Sequence, residues 1–305
     1  MTTWQRFKNS YLLHSFKRDP VAISSFCVLV VLVVISVLAP VITPYNTYDT
    51  ATFDIMDSET PPAWMEGGSE SFILGTDIQG RDLLSTMIYG LRVSLLIGVG
   101  AVLLQAVVGI LVGLLSGYLG GKLDAFLMRI ADIQFSIPYL IVAIFTAAIF
   151  KLAYGVGRYE ELAVPLLIII IGMSEWPKYA RTVRASVLGE KNKEYVEAAR
   201  VIGINRWQIM YRHVLPNTMT PVLVISTIQV AEAVMSEAAL SFLGLGMPVT
   251  KPSLGSLIRS GFEYIFSGSW WITFFPGILL VLLILVILML GDWLRDVLNP
   301  KLYKG

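Results

Sequence analysis

Cysteine and histidine are nearly missing from this chain: Cys27 is the only cysteine, and His14 and His213 are the only histidines. An intrachain disulfide is therefore excluded, and so is a metal centre built on Cys or His. Charge is scarce too. Asp, Glu, Lys and Arg make up 15% of the residues, where a soluble domain carries about 25%. No GxxxxGK[ST] loop occurs, so the chain is not expected to bind ATP itself. HExxH and GxSxG are also absent, which leaves no recognisable catalytic arrangement and no expected metal site. A basic surface interleaved with aromatics, of the kind that holds nucleic acid, is missing as well.

What is abundant is apolar sequence. Hydrophobic residues form 55% of the chain and the mean hydropathy is +0.70. Runs of roughly 20 apolar residues are long enough to cross a bilayer. Six are expected, near 21–43, 91–118, 126–150, 162–177, 218–246 and 271–292, giving an all-α polytopic membrane protein. The net charge of +1 says nothing about partners, but the placement of basic residues does. With the N-terminus inside, 17 of the 23 basic residues fall on inner segments, a positive-inside bias. Both termini and a loop over 178–217 are then cytoplasmic. The run over 21–43 is too long for a signal-peptide core and lacks a cleavage site, so it is read as a retained helix. Trp4, Phe7, Tyr11 and Phe16 ahead of it suggest an interfacial helix over 1–20, lying against membrane lipid. A polar outer segment is expected over 44–90, a five-helix core over 91–292 and a cytoplasmic tail over 293–305.

The most informative stretch is Glu194–Pro216, EYVEAARVIGINRWQIMYRHVLP. Tyr195, Ala198, Ala199 and Ile202 fall at i, i+3, i+4, i+7, one helix face, and Gly203 supplies a stop. Asn205 is placed to cap a second helix, with Gln208 completing a capping-box pattern. Trp207, Met210, Tyr211 and Val214 repeat the helical spacing, and Pro216 closes the unit. Periodicity alone fits a helical hairpin lying on lipid headgroups as well as a partner-docking element.

Elsewhere, Gly109, Gly113, Gly117 and Gly121 recur every four residues, a smooth face for close helix approach. Packing within the chain is the expected use, with a subunit interface as the alternative. Four ionisable groups lie at membrane depth: Arg129, Asp132, Glu232 and Glu237. Each costs about 2.5–3.5 kcal/mol at the bilayer centre unless paired or hydrated. Arg129 and Asp132 are spaced to pair on one helix. Glu232 and Glu237 are expected to bond to neighbouring helices, with the lining of a translocation path as the alternative.

Glu197-Ala198-Ala199, Gly203 and Leu215-Pro216 resemble the EAA loop of bacterial ABC-importer permeases. Gly75–Leu95 resembles the longer GTDxxGRDxxS…GxRxSL signature of the dipeptide and oligopeptide subfamily. Ser116–Lys122 (SGYLGGK), Ser241–Gly246 (SFLGLG) and Gly291–Lys301 (GDWLRDVLNPK) extend the resemblance, to the C-type subunit, over nearly the whole chain. Leu254 departs from it, standing where related chains often carry Trp, a change assigned to the outer loop and receptor docking. The resemblance implies a MetI-like core, a heterodimer with a homologous permease, and two cytoplasmic ATPases that bind the ATP and magnesium. It also implies an extracytoplasmic peptide-binding protein and a place in the bacterial inner membrane. Di- or oligopeptides would be moved by alternating access. Glu197 would give a charge contact to the ATPase, Gly203 the bend, and Trp207 and Met210 apolar contact. The same architecture serves nickel chelates, glutathione, antimicrobial peptides and oligosaccharides. An ion-coupled carrier using Glu232 and a membrane scaffold are the rival classes.

Overall fold

The computed structural model describes residues 11–49 and 53–298. Trp4 and Phe7 of the expected interfacial helix lie outside them, as do residues 299–305 of the tail. What is described of that helix is α1, Tyr11–Arg18, which ends on Lys17 and Arg18. Phe16 stacks edge-on to Phe26 and Trp293, tying α1 to its neighbours. Asp19 then caps α2 (Pro20–Val37), accepting from the Val21 and Ala22 amides at 2.9 and 3.1 Å. Pro20 sits at the first helical position, where a missing N–H costs nothing.

The core helices are α3 (Leu83–Leu119), α4 (Gly121–Ser136), α5 (Tyr139–Glu190), α6 (Glu194–Val201), α7 (Met219–Phe242), α8 (Leu254–Phe262) and α9 (Trp271–Leu298). Among the described residues five helices, α2, α3, α5, α7 and α9, are long and apolar enough to cross a membrane. One of them accounts for two crossings. Helix α5 has 52 residues, about 78 Å at helical rise against a hydrocarbon core of about 30 Å. It breaks at Gly155, whose φ of 81° and ψ of 165° are not helical. Arg181 bonds Asp132 and Arg184 bonds Asp124, pairs placed nearly symmetrically about Gly155. The chain therefore reverses there, and six crossing segments result.

The boundaries depart from the sequence expectations in three places. The run expected over 126–150 is two helices, because Pro138 disfavours helix at Ile137, which is extended at φ −98° and ψ 121°. The helix expected over 162–177 continues to Glu190, so residues 178–190 are not loop. Helix α3 begins at Leu83 inside the expected outer segment, because Asp82 caps it through the Ser85 amide (2.8 Å) and hydroxyl (2.5 Å).

Helix α3 is the central rod. Gly109, Gly113 and Gly117 lie directly on Trp176, Tyr179, Ala180 and Val187 of α5, leaving no room for a Cβ. The glycine face is thus used inside the chain. Gly121 does not belong to it. The helix ends at Leu119, Gly120 turns with φ 69°, and Gly121 begins α4 with nothing near its Cβ position.

The outer segment is pinned by the Gly75–Asp82 turn. Asp77 and Arg81 are both buried and paired, at 2.6 Å from Nε and 2.5 Å from Nη2, and Arg81 Nη1 donates to the Val249 carbonyl at 2.9 Å. Gly80 has φ 77° and passes against the Asp54 carbonyl, so no side chain fits. The turn therefore fixes the N-terminus of α3 against the 243–253 segment. Tyr159, just past the Gly155 reversal, donates its hydroxyl toward the carbonyls of Leu245 and Gly246 at 2.6 and 2.9 Å. Leu254 is fully buried in this assembly. It cannot touch a receptor directly, so the effect assigned to it on docking is withdrawn.

Candidate functional site

Helix α6 opens the loop unit between α5 and α7. Its end is a Schellman motif: the Gly203 amide bonds the Arg200 carbonyl at 3.0 Å and the Ile204 amide bonds the Ala199 carbonyl at 3.1 Å. Gly203 has φ 85°, a left-handed conformation, as the expected stop requires. Asn205 caps the following turn, Arg206–Ile209, by accepting from the Trp207 amide at 3.0 Å. The return bond expected from Gln208 is not among those formed at this cap. Met210–Val214 then widens into a π-helical turn before the short helix Leu215–Asn217. Pro216 explains the widening: it has no N–H to offer the Arg212 carbonyl, and its ring crowds that position in an α-helix.

The buried side of the unit is not the stripe that its spacing suggested. Val196, Ala199, Ile209, Met210 and Val214 are buried in the cluster that also holds Leu114, Val183, Val187 and Val222. Ala198 faces out, and so do Val201 (88% exposed), Ile202 (77%) and Trp207 (43%). Met210, with no exposure, seats the unit on its own membrane domain and is withdrawn as a partner contact. Glu197 is exposed, Leu215 is half-buried and Pro216 exposed. The unit thus presents Glu197, Ala198, Val201, Ile202 and Trp207 outward, with Gly203 at the bend between the two helices. A Cβ at Gly203 would meet nothing within the chain.

A second cluster lies between α3, α5 and α7. Lys178 Nζ stands 2.7 Å from Glu175 and 2.5 Å from Glu232. Gln229 donates to Gln105 at 3.2 Å, and Gln105 donates to the Ile171 carbonyl at 3.3 Å. These groups line a cavity of about 180 Å³ together with Tyr139 and Ser236. The three charged side chains are partly exposed while both glutamines are buried. Charged groups at this depth must meet protein or water, and here they meet each other at the edge of a polar cavity. The sequence reading found Glu232 but missed Lys178, Glu175, Gln105 and Gln229. The i, i+3 spacing of Glu175 and Lys178 is the available signal, and it becomes visible only because the helix runs past residue 177 to Glu190.

Glu237 has a different surrounding. It is fully buried and accepts from Ser94 at 2.7 Å and Ser241 at 2.6 Å, pinning α7 to α3. It does not line a cavity with Glu232. The expected Arg129–Asp132 pair is not formed: Asp132 bonds Arg181 at 2.7 Å, and Arg129 is exposed. Among the described residues, no cluster of metal-binding side chains occurs.

Residues 109–304 match the family described as "Binding-protein-dependent transport system inner membrane component", and residues 2–62 match "N-terminal TM domain of oligopeptide transport permease C". The chain is 37% identical to the di/tripeptide transport system permease protein DppC of Pseudomonas aeruginosa, covering 94% of this chain and 90% of that one. It is 37% identical to the dipeptide transport system permease protein DppC of Escherichia coli K12, covering 95% and 92%, and 34% identical to that of Bacillus subtilis, covering 94% and 84%. An inward-facing structure of the MetNI methionine ABC transporter shares the fold, with a TM-score of 0.56 and 23% identity over 70% of this chain and 97% of that one. With its six crossing segments and its helical loop unit, the chain belongs to the family of binding-protein-dependent transport system inner membrane components, the permeases of ABC importers.

Proposed function

We propose that this chain imports di- and oligopeptides as one half of a permease pair driven by two separate ATPase subunits, which bind the ATP and magnesium. An extracytoplasmic peptide-binding protein would deliver the substrate. The single observation that carries the reading is the exposed face of the loop unit, Val201, Ile202 and Trp207 around the Gly203 bend. Exposed apolar side chains clustered on a charged loop mark a surface that something covers, lipid headgroups or a protein, and membership in the importer-permease family favours a protein partner. The peptide assignment rests on the 34–37% identity to peptide permeases over most of the chain. Both termini and the loop unit would face the cytoplasm.

In this reading closure of the ATPase dimer pushes the loop unit, which is joined to α5 by the 191–193 turn on one side and leads into α7 on the other. The two helices then move relative to α3, and the cavity between them changes its access. Lys178, Glu175 and Glu232 would border the path, where their charges can be solvated. Glu197 would meet a basic group of the ATPase.

The test is uptake of a labelled dipeptide and a labelled longer peptide by cells lacking this chain, with and without its return. Peptide uptake that returns with the chain and collapses on ATP depletion is expected. Uptake indifferent to the chain, in cells with no second peptide importer, would remove the peptide assignment.

A further inference from the structure

The loop unit is closed on itself by one phenol. Tyr195, in the first turn of α6, donates its hydroxyl to Glu190 at 2.8 Å, and Glu190 is the last residue of α5. The same oxygen accepts from Asn217 Nδ2 at 3.2 Å. Asn217 ends the short helix just before α7, and its amide also donates to the His213 carbonyl at 2.7 Å. The phenol has one hydrogen to give, which goes to the nearer Glu190 with the His213 carbonyl at 3.4 Å as the alternative acceptor, and lone pairs to accept; a side-chain amide has two hydrogens. Residues 190, 195, 213 and 217 thus meet at one point, joining the entry of the unit to its exit. Lys193 adds a bond to Glu190 at 2.5 Å, and Arg200 bonds the Lys191 carbonyl at 3.1 Å.

This site does little for folding. Tyr195 and Asn217 are exposed, and the unit is already held by Val196, Ile209, Met210 and Val214 beneath it. Exposed polar contacts add little net stability. Without the clasp, however, the entry and exit of the unit are joined only through the Gly203 bend and the apolar packing beneath it, and part of a push on one helix would be taken up there.

We propose that Tyr195 and Asn217 are positioning residues that lock the two ends of the loop unit together, so that a displacement imposed on it reaches α5 and α7 at once. This rests on the importer reading above. The clasp sets how much substrate moves per ATP hydrolysed and leaves the ability to bind the ATPase intact.

The experiment uses the complete complex with its partner subunits in proteoliposomes, measuring dipeptide uptake and ATP hydrolysis in the same vesicles. Tyr195→Phe removes one oxygen, Asn217→Ala removes its partner, and the double variant removes both. Tyr195→Phe is expected to lower uptake per ATP about fivefold or more, because its hydroxyl carries every bond across the clasp, and Asn217→Ala to lower it less, because the His213 carbonyl stays within reach of that hydroxyl; the double variant should be no worse than Tyr195→Phe alone. Co-isolation of the ATPases and basal hydrolysis should stay at wild-type levels. An unchanged ratio, or losses that multiply in the double variant, would overturn the clasp. The wild-type vesicles test the reading beneath it: if they show no ATP-dependent peptide uptake, the importer assignment fails and the clasp with it.

Discussion

Lys178 stands 2.5 Å from Glu232 across the interface of α5 and α7, and its other carboxylate partner, Glu175, lies one turn earlier on its own helix. One cation serves two anions. Removing the cation leaves two facing carboxylates at membrane depth, whereas removing one carboxylate leaves a simple pair.

Lys178→Met should therefore harm the protein more than Glu232→Gln. We expect Lys178→Met to lower the folded amount in membranes and to abolish uptake, and Lys178→Met with Glu232→Gln to recover much of the folded amount. Membrane abundance and thermal stability in detergent give the comparison. Equal damage from the two single variants would show that the cluster is not organised around the lysine.

The glycines of α3 give a steric prediction. A Cβ at Gly113 would overlap the Ala180 carbonyl, which is backbone and cannot step aside. Gly113→Ala should cost about 1–3 kcal/mol by overpacking, read as a lower melting temperature. At Gly121 nothing is within reach of a Cβ, and only the positive φ of 62° opposes a side chain. Gly121→Asn, which tolerates that conformation, should leave the melting temperature near wild type.

At Gly203 the strain is conformational. Its φ of 85° disfavours any residue with a branched side chain, although space is open. Gly203→Val is expected to cost about 1–3 kcal/mol of local strain and to uncouple uptake from hydrolysis. Gly203→Asn should keep most activity. The paired rates of uptake and hydrolysis decide it, and normal coupling in the Val variant would remove the bend from the mechanism.

Asp124 supplies a pH prediction. The hydrogen bond from Arg184 holds its carboxyl below the ordinary aspartate value, outweighing the opposing effect of burial, with Ser116 helping. A depressed carboxylate contributes stability above its unfolded pKa and loses it as the pH falls through the lowered folded value. Wild type and Asp124→Asn should therefore differ in melting temperature at neutral pH and converge in acid. A gap that widens in acid would contradict the assignment.

The membrane architecture was legible because hydropathy reports it directly, and the Gly203 stop and Asn205 cap followed from local chemistry that tertiary contacts did not alter. The loop unit's buried face was not legible. Its helices carry apolar residues on more than one side, so the spacing of Tyr195, Ala198, Ala199 and Ile202 competes with that of Val196 and Ala199. Packing against Val183, Val187 and Val222 made the choice. The Arg129–Asp132 expectation failed for a related reason: a partner on the same helix is visible in sequence, while Arg181, brought back by the reversal at Gly155, is not.

The most direct test of the account is the rate of labelled dipeptide uptake in cells whose only copy of this chain carries Ile202→Asp, which puts a charge on the exposed face of the loop unit. The account predicts that uptake is lost and that the ATPase subunits no longer co-isolate, while the variant reaches the membrane at the wild-type level. Wild-type uptake by that variant would contradict the claim that this face is where the driving subunits dock.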